Sequence, residues 1–205
     1  MARFGVRACP AEIECRFAVT GQNGVVAERD AGDNLTIRTA RFDDLDALAR
    51  LHVLVWRETY RALAPASAYE ALDELKRRDH WEDLLSRSPA RSLTLVAELD
   101  GCLIGFGHAG PGGHEVMAGA GEIVHLYVDA SSQGRGFGRT LLHGLISFLN
   151  ASGYTTIRVA VVRDNDRAVQ FYERAGGQVV GHFVDGVLWR SHNVVVEFAS
   201  FSRSA

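Results

Sequence analysis

The sequence predicts an α/β fold of the α+β sandwich kind, in which a mixed β-sheet carries helices on both faces. Two observations lead to this expectation. From residue 35 onward, stretches with a two-residue apolar repeat alternate with stretches that have the 3.6-residue repeat of a helix. Their order is β-α-α-β-β-β-α-β-α-β-β, and the strand-helix-strand unit over residues 122–162 predicts a parallel, right-handed crossover.

The first part of this pattern predicts one strand and two helices. Leu35–Arg38 alternates like a strand, and Asp43 can cap a helix that extends to about Tyr60. Ser67 can open a capping box for a second helix that extends to about Leu85. The apolar positions of the two helices are Leu45, Leu48, Leu51, Val55 and Trp56, then Leu72, Leu75, Trp81, Leu84 and Leu85.

The middle of the chain predicts a hairpin and a third strand. Ser92–Glu98 and Cys102–Ala109 are expected to pair across the turn Asp100-Gly101. A glycine-rich loop over residues 110–121 then leads to the strand Glu122–Val128.

The last part predicts two helices and three strands. A helix over Gly136–Asn150 is followed by the apolar strand Thr156–Val162, which is expected to be buried on both faces. A short helix over Arg167–Ala175 precedes the strands Gln178–Phe183 and Val187–Phe198.

The sequence divides into an N-terminal extension, residues 1–33, and one domain over residues 34–200. The extension is expected to be disordered or to form a short hairpin of Glu14–Thr20 and Val25–Glu28, and a misplaced start codon competes with both.

Composition excludes several classes of function. The 205 residues include 22 Lys and Arg against 25 Asp and Glu, so the net charge of −3 lacks the basic excess of a nucleic-acid-binding protein. An odd number of cysteines, three, without a C-x-x-C pair favours a reducing cytoplasm over a disulfide framework or a structural zinc site. No apolar run approaches the roughly 18–20 residues of a membrane span, and no signal-peptide core is present.

The most informative stretch is a glycine-rich segment between a predicted strand and a predicted helix. The strand ends at Val128, and Gly134, Gly136 and Gly138 precede the helix. Such glycines let backbone N–H groups gather around an anion, to which the helix N-terminus adds positive charge. The spacing G-x-G-x-G does not match the dinucleotide fingerprint, and the only lysine, Lys76, lies too far away for a P-loop. A pyrophosphate cradle and a plain tight turn both remain open at this point.

Two segments resemble the signature motifs of one superfamily. The Q/R-x-x-G-x-G/A motif of the GNAT N-acetyltransferases resembles the stretch Gln133-Gly134-Arg135-Gly136-Phe137-Gly138. The N-x-x-A-x-x-F-Y-x-x-x-G helix of the same proteins resembles the stretch Asn165-Asp166-Arg167-Ala168-Val169-Gln170-Phe171-Tyr172-Glu173-Arg174-Ala175-Gly176. The motifs lie about 30 residues apart, and the resemblance covers about residues 35–198. Gly177 stands where the family usually has Phe, which is expected to loosen the local packing.

The resemblance implies a site for acetyl-CoA as co-substrate, between the strands Glu122–Val128 and Thr156–Val162, which splay apart in the family. The residues that it assigns to this site are Leu126, Tyr127, Val128, Gln133, Gly134, Arg135, Gly136, Phe137, Gly138, Arg139, Thr140, Asn165 and Tyr172.

The resemblance also implies an acid and a base for acetyl transfer. Glu122 occupies the position of the catalytic Glu of the histone-acetylating branch and is the candidate base. The alternative is that Glu122 is a solvated or salt-bridged carboxylate and that relayed water acts as the base. Tyr172 is the candidate acid, because an unperturbed phenol is protonated at neutral pH; an aromatic packing residue is its alternative. His125 is an odd number of residues from Glu122, so it is expected on the opposite face, as a core or surface histidine.

The acceptor side is assigned to the end of the first predicted helix. Its W-x-x-T-Y-R stretch resembles a largely uncharacterised GNAT branch, in which this region borders the acceptor cleft. Trp56 and Tyr60 are candidates for walls of that pocket and Glu58 for the group that attracts an ammonium; an ordinary amphipathic helix end is the alternative. The histidines show no metal-binding spacing, so no metal is expected.

The function expected from the resemblance is that of a cytoplasmic N-acetyltransferase, which moves an acetyl group from acetyl-CoA to a primary amine of a small molecule or peptide. The alternative is a non-catalytic acetyl-CoA-binding sensor or interaction module, against which the presence of both Glu122 and Tyr172 argues. A dinucleotide oxidoreductase is disfavoured by the glycine spacing. No nucleic acid or membrane partner is expected, and a homodimer is possible by the same resemblance.

Overall fold

The predicted sandwich of a mixed sheet between helices is confirmed in a computed structural model, which describes residues 18–19, 25–26, 35–86, 91–186 and 189–199. The strands are β1 (Ala18–Val19), β2 (Val25–Val26), β3 (Leu35–Thr39), β4 (Leu93–Leu99), β5 (Cys102–Pro111), β6 (Gly121–Val128), β7 (Thr156–Val162), β8 (Gln178–Asp185) and β9 (Ser191–Ala199). The helices are α1 (Leu45–Thr59), α2 (Ala66–Glu70), α3 (Glu74–Ser86), α4 (Phe137–Ala151) and α5 (Asp166–Arg174).

Seven strands form the main sheet, in the order β3-β4-β5-β6-β7-β9-β8. All neighbours are antiparallel except β6 and β7, the two strands of the predicted crossover, which run parallel. The turn Asp100-Gly101 joins β4 to β5 with a positive φ at both residues, as a tight hairpin turn requires.

Each face of the sheet is covered by helices. On one face, α4 buries Leu141, Leu142, Leu145 and Leu149 against Leu95, Ile123 and Ile157, and Tyr172 of α5 joins the same cluster. On the other face, α1 and α3 bury Leu45, Leu48, Trp81 and Leu84 against Val96 and Phe106. Of the apolar positions that the helical repeat singled out in the first two predicted helices, Leu75 is exposed and Leu85 is half-buried, whereas the others are buried.

The N-terminal strands β1 and β2 pair antiparallel, Ala18 with Val26 and Val19 with Val25. This pair lies within the predicted hairpin. The other residues of segment 1–33, and the extent of the extension, lie outside the described residues.

The predicted N-cap residues of the first two helices are wrong. Asp44, not Asp43, is the N-cap residue of α1, and a short 3-10 turn, Phe42–Asp44, precedes the helix. The carboxylate of Asp44 makes no capping bond to α1; it accepts hydrogen bonds from the Arg38 guanidinium at 2.7 and 2.8 Å and from Arg41 N–H. Pro65, not Ser67, is the N-cap residue of α2.

The single helix predicted from Ser67 to Leu85 is two helices. The predicted helix is interrupted between α2 and α3, where Asp73 begins a new helix. Asp73 Oδ1 accepts hydrogen bonds from the N–H groups of Leu75 and Lys76, at 2.6 and 3.2 Å. As a result Leu75 is 67% exposed, although the continuous pattern placed it on the apolar face.

Two further expectations are corrected around the central strands. The glycine loop is shorter than predicted, since β5 continues to Pro111 and a 3-10 turn, Glu115–Met117, follows. Strand β7 is not buried on both faces: Ile157, Val159 and Val161 are buried, whereas Ala160 is exposed. Ala160 is exposed because it faces the cleft beside β6.

Gly177 does not loosen the packing. A Cβ at this position would lie 2.5 Å from Val196 Cγ1 and 3.0 Å from Phe198 Cζ, so neighbouring side chains already occupy the space. Side chains of strand β9 fill the space beside Gly177.

Candidate active site

The site lies where β6 and β7 separate. The two strands pair only at Gly121 with Ile157 and at Glu122 with Arg158. Beyond this point they diverge, and a cavity of about 620 Å³ opens between them, bordered by α1, α4 and α5. The splayed strands that the resemblance implied are therefore present, and the backbone of β6 beyond Glu122 has no paired strand on this side.

The glycine loop and the start of α4 form one end of this cavity. Gly134 and Gly136 have φ values of +79° and +85°, and open space surrounds the position of a Cβ at each. The first bond of the helix runs from Thr140 N–H to Gly136 O, so the N–H groups of Phe137, Gly138 and Arg139 have no partner within the helix. This combination of free N–H groups, a helix N-terminus and Arg139 fits a pyrophosphate.

Three residues assigned to the cofactor act on the loop in different ways. Gln133 lines the cavity and donates from Nε2 to Val128 O at 2.8 Å, which ties the loop to the end of β6. Arg135 is not among the lining residues; its guanidinium carbon lies 4.9 Å from the centroid of the Phe137 ring. Thr140 is also outside the lining, and its hydroxyl donates to Gly136 O at 3.3 Å.

Helix α5 forms the wall beside the start of α4, since the Phe171 ring lies 3.6 Å from the position of a Cβ at Gly138. Asn165 Oδ1 accepts from Ala168 N–H at 3.2 Å and so caps α5, and both residues line the cavity. The Tyr172 ring lies 5.1 Å from the ring of Phe171, and Tyr172 also lines the cavity. Burial, with a contribution from Tyr60, raises the pKa of Tyr172, so its phenol is a proton donor at neutral pH.

Strand β6 carries a bulge that changes which face His125 occupies. His108 pairs with His125 and Ala109 with Ile123, so Val124 is the extra residue. Ile123 packs in the cluster of α4, whereas His125 contacts His52 of α1 and Trp81 of α3. The expectation that His125 faces away from Glu122 is wrong, because the inserted residue restores both side chains to the face opposite α4.

Glu122 lies at the start of β6, outside the residues that line the cavity. It is half-buried, and one carboxylate oxygen accepts from Gly113 N–H at 2.8 Å. Burial raises the pKa of Glu122, although the Gly113 hydrogen bond and His114 act in the opposite direction. A carboxylate with a raised pKa on the face of α1 has the properties that a base needs at neutral pH.

The end of α1 forms another end of the cavity, where the sequence predicts the acceptor. Glu58, Thr59 and Tyr60 line it. Trp56, in contrast, is 2% exposed and does not wall the pocket; it belongs to an apolar cluster behind Tyr60. The ring centroids of Trp56 and Trp189 lie 5.1 and 5.3 Å from that of Tyr60, so these two indoles support the Tyr60 ring.

Three tyrosines meet near the middle of the cavity. The hydroxyls of Tyr60 and Tyr127 are 3.5 Å apart. The pKa of Tyr127 is raised well above its usual range by burial, with further contributions from Tyr60 and Tyr172. All three residues line the cavity, so its walls at the end of α1, at β6 and at α5 each carry a neutral phenol.

The structure brings most of the predicted residues together. The predicted residues that line the cavity are Glu58, Tyr60, Leu126, Tyr127, Val128, Gln133, Gly134, Gly136, Phe137, Gly138, Arg139, Asn165 and Tyr172. Trp56, Glu122, Arg135 and Thr140 do not. Arg167, in the first turn of α5, lines the cavity and was missed, although its place two residues after Asn165 in the second motif is a usable signal.

Charge is distributed unevenly along the cavity. Of the residues that line it in the described part of the chain, Glu58 at the α1 end is the acidic one, and Arg139 and Arg167 at the α4 and α5 end are the basic ones. An anion is favoured at one end and a cation at the other. Over the described residues, no group of three or more His, Cys, Asp or Glu side chains is arranged to hold a metal ion, and no helix is long and apolar enough to cross a membrane.

Comparison with known proteins identifies the family. Residues 49–177 match the model of the acetyltransferase (GNAT) family. The chain is 30% identical over 139 residues to the uncharacterized N-acetyltransferase YuaI of Bacillus subtilis (strain 168), which covers 68% of this chain and 78% of YuaI.

Solved structures share the fold. The N-acetyltransferase PaiA of Thermoplasma acidophilum, solved in complex with coenzyme A, superposes with a TM-score of 0.68 at 24% identity, over 82% of this chain and 99% of PaiA. The acetyltransferase YncA of Salmonella typhimurium, solved with acetyl-CoA, superposes with a TM-score of 0.64 at 19% identity, over 84% and 97% of the two chains. With the matching family model, the splayed strands and the glycine loop, these findings show that the chain belongs to the GNAT family and is an acetyl-CoA-dependent acetyltransferase.

Proposed function

We propose that this enzyme transfers the acetyl group of acetyl-CoA to a primary amine of a small molecule or peptide by direct attack. The observation that carries the proposal is the polarity of this cavity, with an anion cradle at one end and the Glu58 carboxylate at the other. A phosphate-bearing acyl donor and a cationic acceptor can therefore meet between the three tyrosines.

The donor end is assigned to Gly134, Gly136 and Gly138, with Arg139 as the matching charge. Acetyl-CoA, when bound, supplies a thioester carbonyl as acyl donor. The chain's contribution is to hold the phosphates at the start of α4 and to place the pantetheine arm beside the unpaired backbone of β6. Asn165 and Tyr172 border the same space from α5.

The acceptor must lose a proton before it can attack, because an ammonium has no lone pair. Glu122 is the proposed base. Its raised pKa and its place on the face of α1 support this role, and its position outside the cavity lining means that the proton reaches it through water. A positioned base contributes typically about 10²–10⁴-fold.

Tyr172 is the proposed acid, which donates a proton to the sulfur as the thiolate leaves. Its buried phenol in the cavity wall supports this role. Tyr172→Phe is expected to lower kcat with little change in acetyl-CoA affinity, because the ring still packs and only the transition state loses a donor.

The acceptor pocket is assigned to Glu58 and Tyr60, with Trp56 behind the Tyr60 ring. A cationic amine gains from the carboxylate and from the face of the phenol. A cytoplasmic location, favoured by the exposed free thiol of Cys102, and a homodimer are further parts of the proposal.

A screen for thiol release tests the function. Acetyl-CoA-dependent release of CoA thiol is measured over panels of simple amines, polyamines, amine-bearing antibiotics and peptides. We expect at least one amine to stimulate release well above the rate with acetyl-CoA alone. Release that no amine stimulates would contradict the proposal and favour an acetyl-CoA-binding module.

A further inference from the structure

A cluster of histidines adjoins the cavity, and the acid and base assigned above do not use it. His52 of α1, His80 of α3 and His125 of β6 meet on the face of the sheet that α1 and α3 cover. The ring centroids of His125 lie 5.0 Å from His52 and 5.2 Å from His80. The ring centroids of His52 and His80 are 6.4 Å apart, so the three imidazoles form one cluster.

His80 and His125 are joined by a hydrogen bond. Their Nε2 atoms are 2.9 Å apart, which is a hydrogen-bond distance. Such a bond needs one nitrogen with a hydrogen and one with a lone pair, so at least one of these two rings is neutral. The pair can pass a proton from one ring to the other by exchanging these roles.

The cluster reaches the cavity through Tyr127. The ring of Tyr127 lies 5.6 Å from that of His52 and 6.5 Å from that of His125, and Tyr127 lines the cavity. At the other end, His80 is only half-buried on α3. The histidines thus connect a cavity wall with the surface of the protein.

Packing alone does not account for His52. This residue is 1% exposed, and its Nδ1 atom is buried without a hydrogen-bond partner among the described protein groups. A buried polar atom of this kind costs about 1–3 kcal/mol. A hydrocarbon side chain would fill the same space against Phe106 and Trp81 without that cost.

The surroundings keep the imidazoles of His52 and His125 neutral. Burial lowers the pKa values of His52 and His125 well below their usual range, and Arg77 and His80 lower them further. The titratable or charged groups that face His125 are His52 from α1, Arg77 and His80 from α3, His108 from β5 and Tyr127 from β6. A neutral imidazole accepts a proton on one nitrogen and releases one from the other.

The reaction releases a proton that has to leave. An ammonium has three N–H bonds and the amide product has one, so two protons are lost from nitrogen when the N–C bond forms and the C–S bond breaks. One ends on the sulfur of CoA, directly or by way of Tyr172. The other has to reach solvent.

We propose that His125 and His80, with His52 beside them, form the route by which this second proton leaves the active site. The proton passes by way of water from the Tyr127 side of the cavity to His52 or His125, crosses the Nε2–Nε2 hydrogen bond between His125 and His80, and leaves from His80. The bulge at Val124 makes this possible, because it places His125 on the same face as Glu122. The inference rests on the proposed function of amine acetylation.

The test uses His80→Ala and His125→Gln in single-turnover acetyl transfer to the best amine at neutral pH. Amide formation by the wild type is measured first. We expect both variants to lose at least about tenfold in rate, less than the loss of a direct base because water can replace a relay in part. The affinity for acetyl-CoA, measured by calorimetry, is expected to stay within about twofold, since the cradle lies across the cavity.

Imidazole rescue separates proton transfer from structure. Added imidazole is expected to restore much of the rate that His80→Ala loses and to leave the rate of the control variant unchanged. A packing defect would not respond to imidazole. The control is His108→Asn, which removes a neighbouring imidazole but keeps a group that can bond to Thr94 Oγ1, now 2.8 Å from His108 Nδ1. If His125→Gln fails to fold, His80→Ala and its rescue decide the matter alone.

Several outcomes would overturn the proposal. A wild type that forms no amide would overturn the proposed function and the proton route with it. Amide formation by the wild type together with an unchanged rate in His80→Ala would overturn the route alone. An equal loss in His108→Asn, a loss without imidazole rescue, or inhibition of the wild type by a chelator would show that the cluster has a structural or metal-binding role instead.

Discussion

At the scale of single residues, two glycines and two ionisable groups carry the chemistry. Gly134 and Gly136 were predicted from their spacing, and their positive φ values confirm that the turn needs them. The faces of Glu122 and His125 could not be predicted, because alternation along a strand is local whereas the bulge at Val124 depends on pairing with β5. Arg135 and Thr140 belong to the motif but not to the cavity lining, because a motif records the local turn as well as the ligand contacts.

Gly136→Asp is expected to weaken acetyl-CoA binding by at least about tenfold, or about 1.4 kcal/mol. The new carboxylate would lie at the N-terminus of α4, where the phosphates are proposed to bind. Calorimetry measures the affinity. Gly153→Asp is the matched control, since Gly153 also has a positive φ and open space but lies at the other end of α4. Unchanged affinity in Gly136→Asp would contradict the cradle assignment.

Glu122→Gln is expected to lower kcat/KM by about 10²–10⁴-fold near neutral pH. In the wild type, log kcat/KM is expected to rise with pH through the raised pKa of Glu122, because only the carboxylate accepts a proton. The variant is expected to lose this dependence and to recover in part at high pH, where free amine is abundant. Rates from about pH 6 to pH 10 provide the measurement, with Glu115→Gln in the neighbouring turn as control. If Glu122→Gln kept wild-type rates across that range, Glu122 would not be the base, and a relay of water molecules would be the better interpretation.

At the scale of secondary-structure elements, the order of strands and helices was predicted and their junctions were not. The continuous pattern over Ser67–Leu85 concealed the break, because Leu75 fits an apolar repeat and only the Asp73 cap interrupts it. Strand β7 was expected to be buried on both faces because its apolar run matches a central strand. Its exposure at Ala160 comes from the separation of β6 and β7, which no local pattern encodes.

Gly177→Ala is expected to destabilise the fold by about 1–3 kcal/mol, the usual cost of overpacking. Its Cβ would lie 2.5 Å from Val196 Cγ1, so β9 or α5 has to shift. Urea unfolding measures the change in the free energy of unfolding. In the control Gly181→Ala, the nearest atoms are 3.9 Å from the new Cβ, and a much smaller change is expected. Equal stability of the two variants would mean that the β9 side chains relax without cost.

At the scale of the whole molecule, the sheet order separates the first strand of the main sheet from the site. Strand β3 begins the domain at one edge of the sheet, and β4 and β5 lie between it and β6. The family-like pattern also begins at Leu35, the first residue of β3, and the domain boundary proposed from the sequence stays a prediction. The cavity itself depends on elements from residue 55 to residue 172, which only the tertiary fold brings together.

Removal of residues 1–32, so that the chain starts at Asp33, is expected to leave acetyl-CoA turnover within about threefold of the full chain, since two strands shield β6 from that edge. Steady-state thiol release measures turnover, and circular dichroism confirms folding. A shortened chain that folds but no longer turns over acetyl-CoA would contradict the domain boundary.

The most direct test of the central claim follows the acetyl group itself. The enzyme is mixed in single turnover with acetyl-CoA that carries a ¹³C-labelled acetyl group and with the best amine, and the products are identified by mass spectrometry. We expect the label in the N-acetyl amide, with Glu58→Gln requiring a higher amine concentration for the same rate but keeping its acetyl-CoA affinity. Label that appears only as free acetate, or stays on CoA although the cavity is occupied, would contradict acetyl transfer to an amine in this cavity.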